Sequence, residues 1–224
     1  MDRNKLAQCI DHTLLKAATG IGQVEELCRD ALTWSFASVC VPPSFVAPAA
    51  RFLKESSVHV GTVIGFPLGY NLFDIKLAEA LRAWEDGARE IDMVMQIGRF
   101  KSGDFHSVEM ELRGVVEATP ELVHKVIIEC GLLTDREKQN AVKLVIDSGA
   151  EFVKTSTGFG PGGATVRDVG LLVKWAQGKI AVKAAGGITD PAAAVAMIEA
   201  GAERIGTSSA VQILETFGSR SAGH

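Results

Sequence analysis

Eight times along this chain a short apolar or β-branched run gives way to a longer segment whose apolar residues recur at helical spacing, with a period of roughly thirty residues. The runs fall at 10–13, 36–41, 58–65, 90–95, 125–129, 151–156, 180–184 and 203–205. Helical patterns follow the second run and occupy 22–32, 73–86, 105–118, 135–147, 165–177, 191–199 and 209–217. The joints repeat as well. Gly87, Gly149 and Gly201 stand where helices should end, and each leads through alanine and a charged residue into the next strand, as GARE, GAEF and GAER. Asp190-Pro191 reads as an N-cap followed by proline in the first turn. Eight alternating units in one domain predict an α/β fold, a closed (β/α)8 barrel over 1–218, with 219–224 (SRSAGH) as a disordered tail. An open doubly wound sheet is the alternative, but its dinucleotide fingerprint GxGxxG does not follow the first strand.

Composition excludes several classes of function. The chain has 224 residues, 47% of them hydrophobic, with a mean hydropathy of +0.18, which suits one domain with a large core. Its net charge of −4 comes from interspersed residues, so no basic face for nucleic acid is expected. The N-terminus is charged where a signal peptide would be apolar, and no run approaches the ~20 apolar residues of a membrane span; the expected location is the cytoplasm. Cys9, Cys28, Cys40 and Cys130 share no paired spacing, and His12, His59, His106 and His124 share no ligand spacing, so neither a disulfide framework nor a metal site is expected. Trp34, Trp84 and Trp175 fall on helices and should pack them against the barrel.

In a barrel the chemistry sits at the C-terminal ends of the strands. The polar residues there are Asp11 and Thr13 on the first strand, Cys40 on the second, Asp92 on the fourth, Glu129 on the fifth, Lys154 on the sixth and Lys183 on the seventh. The stretch 152–159, FVKTSTGF, places Lys154 at an inward position, where an ammonium group costs several kcal/mol unless it is paired, solvated or deprotonated. Adjacent strands lie about 4.8 Å apart, so lysines at equal height on neighbouring strands approach to roughly 5 Å. At an effective dielectric of ~20 their repulsion is on the order of 3 kcal/mol, or about two pK units. An unperturbed lysine, pKa ~10.4, is neutral in only about one molecule in 2,500 at pH 7, so such a shift brings the amine towards useful nucleophilicity. A neutral lysine in a small-molecule pocket characteristically attacks a carbonyl and forms a Schiff base. Asp92 would hold Lys183 charged and carry protons, and Glu129 would support the lysines by hydrogen bonding. The competing reading is an ion-pair cluster that merely plugs the barrel.

Glycines supply the other half of a site. Gly158, Gly160, Gly162 and Gly163 follow the sixth strand, Gly186 and Gly187 the seventh, and Ser208 and Ser209 open the last helix. Loops seven and eight are the usual phosphate position in barrels, because backbone amides and a helix N-terminus converge on an anion there. Asp11, Thr13, Cys40, Thr155, Gly158, Gly160, Gly186, Gly187, Ser208 and Ser209 are therefore the expected substrate contacts. Cys40 has the alternative of simply filling the core.

The motifs IDHTLLK, VCVPP, GFPLG, EIDMV, KVIIECG, FVKTSTGF, VKAAGGI and RIGTSSA, in that order, span nearly the whole chain, which on them resembles the deoxyribose-phosphate aldolases, class I aldolases with a (β/α)8 fold. The resemblance implies Lys154 as the Schiff-base lysine, Lys183 as a second lysine that tunes it and takes part in proton transfer, and Asp92 as their acid/base partner. It implies reversible cleavage of 2-deoxy-D-ribose 5-phosphate without a cofactor. The expected partners are a phosphosugar and further copies of the chain, as a dimer or tetramer, with no nucleic acid and no membrane. Thr189 stands where many family members have an arginine near the phosphate, Ala185 where a serine is common, and Tyr70 precedes Asn71 where a smaller residue is usual. A keto-acid aldolase would need a strand-end cation for its substrate carboxylate, and no such arginine is evident. A silent phosphosugar-binding barrel would have little use for two adjacent lysines and an aspartate.

Overall fold

The structure is a computed structural model that describes residues 1–221. Eight parallel strands close into a barrel: β1 Ile10–Thr13, β2 Ser38–Cys40, β3 His59–Ile64, β4 Glu90–Val94, β5 Val123–Ile127, β6 Phe152–Lys154, β7 Ala181–Ala185 and β8 Arg204–Thr207. Each strand pairs with the next in sequence, and β8 pairs with β1, so the expected barrel is the observed one and no edge is left open. Around it lie α1 Arg3–Ala7, α2 Ile21–Trp34, α3 Val46–Phe52, α4 Phe73–Glu85, α5 Ile97–Lys101, α6 Phe105–Ala118, α7 Asp135–Ser148, α8 Val166–Ala176, α9 Pro191–Glu199 and α10 Ala210–Ser221. The expected tail began at 219; α10 continues to Ser221, and 222–224 lie outside the described residues.

The repeated joint has a common geometry. Gly87, Gly149 and Gly201 have φ of +102°, +85° and +102°, a left-handed turn open to glycine at little cost. The alanine after each is buried under the reversing chain, and the charged residue after that donates its amide to the preceding strand: Arg89 to Val60, Glu151 to His124, Glu203 to Val182. Asp190 caps α9 by accepting from the Ala193 amide at 3.0 Å, with Pro191 in the first turn. Trp34, Trp84 and Trp175 are partly buried against the core, as their helical positions led one to expect.

Two strand boundaries differ from expectation in a way that matters for the site. β5 begins at Val123 and ends at Ile127, so Lys125 lies in mid-strand, level with Asp92 on β4. β6 ends at Lys154; Thr155 after it still donates its amide to the Lys183 carbonyl (3.1 Å), while its hydroxyl takes the place of the next ladder step, donating to the Ala185 carbonyl and accepting from the Ala185 amide, both at 3.1 Å.

Candidate active site

Barrel interiors are usually filled by branched aliphatic side chains. Here one stratum of the interior is charged. Asp92 on β4 accepts at Oδ2 from Lys154 Nζ (2.6 Å) and from Lys183 Nζ (2.7 Å), and at Oδ1 from Lys125 Nζ (3.1 Å). Lys154 and Lys183 are register partners on β6 and β7, so their side chains leave neighbouring strands at one height. Bonding to one oxygen keeps their ammonium nitrogens no further apart than the sum of those two distances.

From Asp92 the contacts run in a closed circuit. Lys183 meets Asp11 Oδ2 at 2.5 Å, and Arg204 Nε donates to Asp11 Oδ1 at 2.8 Å. Arg204 Nη2 reaches both Glu90 oxygens, at 2.5 and 2.6 Å, and Lys125 donates to Glu90 Oε2 at 2.6 Å before returning to Asp92. The circuit alternates in sign, with Lys183, Arg204 and Lys125 between Asp11, Glu90 and Asp92. Lys154 hangs from Asp92 outside the circuit, as a cation without a balancing carboxylate of its own. Gly206 makes room for the arrangement, since a Cβ there would meet Lys183 Cε at 3.2 Å and Ala185 Cβ at 3.0 Å.

The two adjacent lysines therefore differ. Burial disfavours the charge on both. For Lys154, burial and the nearby Lys183 charge outweigh Asp92 and push its pKa below the ordinary lysine value. For Lys183, Asp11 and Asp92 together overcome burial and raise it. Lys125 is likewise raised, against burial, by Asp92 and Glu90. Burial favours the neutral acid of Asp92, but Lys125, Lys154 and Lys183 hold its carboxyl well below the usual carboxylate range.

Above the circuit lies a cavity of roughly 250 Å³ with Lys154 in its floor; its walls include Thr13 after β1, Gly158 after β6, Gly186 and Gly187 after β7, and Ser208 after β8. Lys183 and Asp92 are buried and do not border it. Asp11, Cys40 and Thr155, expected as substrate contacts, are also buried away from the cavity: Asp11 belongs to the circuit, Thr155 ties β6 to β7, and burial raises the Cys40 thiol to about 11. Gly160 packs against the Glu129 carboxyl beside a separate, smaller pocket. The Ser209 amide is committed to the Thr207 hydroxyl (2.9 Å), which in turn donates to the Ile188 carbonyl (2.6 Å).

Glu129 does not support the lysines. It lies beyond the end of β5 with φ of +52° and accepts at Oε2 from the Thr157 hydroxyl (2.5 Å) and amide (3.2 Å), which fixes the loop after β6 rather than the ammonium groups. The loops after β6 and β7 touch through their glycines: a Cβ on Gly163 would stand 2.3 Å from the Gly186 carbonyl oxygen.

Lys125, Glu90 and Arg204 were missed as members of the charged stratum. The signal for them is the pair Glu90 and Asp92, two carboxylates at i and i+2 on one face of a strand, which require buried cations at matching height on other strands. A lysine of lowered pKa opening onto a cavity is arranged to act as an amine nucleophile towards a bound carbonyl.

The sequence pattern of the DeoC/LacD family aldolases matches residues 5–216. The chain belongs to that family. This aldolase is 51% identical over 215 residues to the deoxyribose-phosphate aldolase of Carboxydothermus hydrogenoformans, covering 94% of each chain. It is 49% identical over 219 residues to that of Deinococcus radiodurans, covering 98% of this chain and 99% of the relative. Among solved structures, the tetrameric deoxyribose phosphate aldolase from Aeropyrum pernix superposes with a TM-score of 0.92 at 36% identity, over 98% of the aldolase and 93% of that chain.

Proposed function

We propose that this class I aldolase cleaves 2-deoxy-D-ribose 5-phosphate reversibly to D-glyceraldehyde 3-phosphate and acetaldehyde, with Lys154 as the Schiff-base lysine. One observation carries the assignment of roles: Lys154 both borders the cavity and stands outside the balanced circuit, whereas Lys183 is buried within it. The half-identical deoxyribose-phosphate aldolases support the substrate.

The neutral Lys154 amine adds to C1 of the open-chain aldehyde, and loss of water leaves a protonated imine. Removal of the C3 hydroxyl proton then breaks the C2–C3 bond; its electron pair forms the C1–C2 double bond of the enamine as the imine nitrogen takes up the former C=N pair. D-Glyceraldehyde 3-phosphate departs. Protonation of the enamine at C2 regenerates an imine, now of acetaldehyde, and water releases the product and the amine. Asp92, Lys183 and a water molecule form the proton path. While Lys154 is neutral, Asp92 loses one of the three cations that hold it ionised and becomes a better proton acceptor. At rest Lys183 is protonated; its charge lowers the Lys154 pKa and its proton is the one the path passes on.

Borohydride reduction in the presence of acetaldehyde tests the nucleophile. An ethyl group should be found on Lys154 by peptide mass spectrometry. Modification of another lysine, or none in protein that turns over, would refute the assignment.

Among the described residues no helix is long and apolar enough to cross a membrane. We place the enzyme in the cytoplasm, acting on a small phosphosugar with no nucleic-acid or membrane partner, and as a homo-oligomer. Support for assembly comes from the tetrameric Aeropyrum pernix relative and from Leu68, Tyr70, Leu72 and Ile75, large apolar side chains all more than half exposed between β3 and the start of α4. Sedimentation at micromolar concentration should give at least a dimer; a monomer would argue against it.

A further inference from the structure

The cavity is lined by two cations, Lys154 and Lys16, and by no carboxylate. Lys154 is bonded to Asp92 at the floor. Lys16, in contrast, is exposed, and its ammonium group makes no hydrogen bond or ion pair among the described residues. A cation that borders a cavity free of acidic side chains and has no protein partner is available to a bound anion.

Its placement is set by the barrel. Lys16 lies just beyond β1, and β1 runs beside β8 with His12 level with Thr207. The loop carrying Lys16 therefore rises next to Ser208 and the start of α10. Its backbone is fixed by the Leu14 amide donating to Cys40 on β2 (2.9 Å) and by the Thr19 amide closing onto the Lys16 carbonyl (3.0 Å). Gly187, Thr189 and Ser208 border the same cavity, and their amides make no hydrogen bond among the described residues. These amides and the α10 terminus favour an anion but bring no full charge. Thr189 brings none either.

We propose that Lys16 is the cation that binds the phosphate of the substrate and sets the preference for phosphorylated over free sugar. The proposal rests on the reading of the cavity as a phosphosugar site. A lysine suits this place, since its flexible four-carbon stem lets the ammonium follow the phosphate from the rim while the chemistry proceeds at Lys154.

The test compares wild type, Lys16→Ala and Lys16→Arg. Two quantities are measured: the ratio of kcat/KM for 2-deoxyribose 5-phosphate to that for 2-deoxyribose, and the competitive inhibition constant of inorganic phosphate. A charge-assisted contact of this kind predicts that Lys16→Ala lowers the ratio about ten- to thirtyfold and raises the inhibition constant by a similar factor. Lys16→Arg should retain most of both, and Thr189→Arg placed in the Lys16→Ala background should recover part of the loss. A wild-type enzyme that prefers the phosphorylated sugar, with Lys16→Ala keeping that preference and its phosphate inhibition, would overturn the role of Lys16 alone. A wild-type enzyme with no preference for the phosphorylated sugar would overturn the phosphosugar reading and the proposal together.

Discussion

Lys183→Leu should lower kcat/KM for cleavage by several orders of magnitude while leaving the barrel folded. Two losses combine. Removing the Lys183 charge takes away a like-charge repulsion beside the amine, so the Lys154 pKa should rise and its neutral fraction at pH 7 should fall. The broken circuit pushes the same way: with one cation gone, Asp11 and Asp92 retain Lys125 and Arg204, and Lys154 becomes the charge that restores balance. Loss of a positioned member of the proton path contributes a further factor of about 10² to 10⁴. The pH dependence separates this from simple disruption. Borohydride trapping of acetaldehyde on Lys154 should require a higher pH in the variant than in wild type. Near-normal turnover, or trapping with an unchanged pH profile, would mean that the two lysines are not coupled.

The second large effect is on stability. Asp92→Ala removes the carboxylate on which Lys125, Lys154 and Lys183 converge and leaves three buried ammonium groups facing one another. Breaking a buried ion pair by deleting one partner costs about 3–5 kcal/mol, and the lysines limit the damage here only by releasing protons. Activity should vanish with the proton path. The pH dependence has a definite sign. The folded-state pKa of Asp92 is depressed, so its contribution is complete above the unfolded value of ~3.9 and is lost as pH falls through the folded value. Urea unfolding should therefore show the full gap between wild type and Asp92→Ala at pH 7, narrowing once the pH drops below about 4. A gap that widened in acid, or none at pH 7, would show that Asp92 is not held ionised by the lysines.

The alternation of strands and helices was legible because burial imposes one period on strands and another on helices, and because the joints at Gly87, Gly149 and Gly201 demand a residue that tolerates positive φ. Lys154 and Lys183 were legible for a related reason, since a lysine at an inward strand position has few explanations. What stayed hidden depends on register. Lys125 stood at the first residue of its expected strand, far from the C-terminal ends where the site was sought; only the two additional residues before it bring it level with Asp92. Arg204 opens β8 beside Asp11 on the neighbouring β1, but its other partner, Glu90 on β4, lies across the barrel interior, a contact that neither local spacing nor strand order encodes. Glu129 was misassigned because its left-handed backbone turns the side chain to Thr157, a reversal that residue identity does not announce. Five-residue α1 lies below the length at which a helical period can be distinguished.

The alternating circuit also bears on the bond-breaking step itself. Counting charges, the sealed stratum is neutral when Lys154 is an amine and carries one surplus positive charge when that nitrogen is protonated. In the proposed cycle the protonated imine restores the surplus, and cleavage discharges it, because the electron pair of the breaking bond neutralises the nitrogen as the enamine forms. The interior that makes the resting ammonium unfavourable thus makes the imine cation unfavourable too, and relaxes at the moment the carbon–carbon bond gives way. In the synthetic direction the same preference works in reverse: the enamine is the comfortable state, able to wait for an acceptor aldehyde.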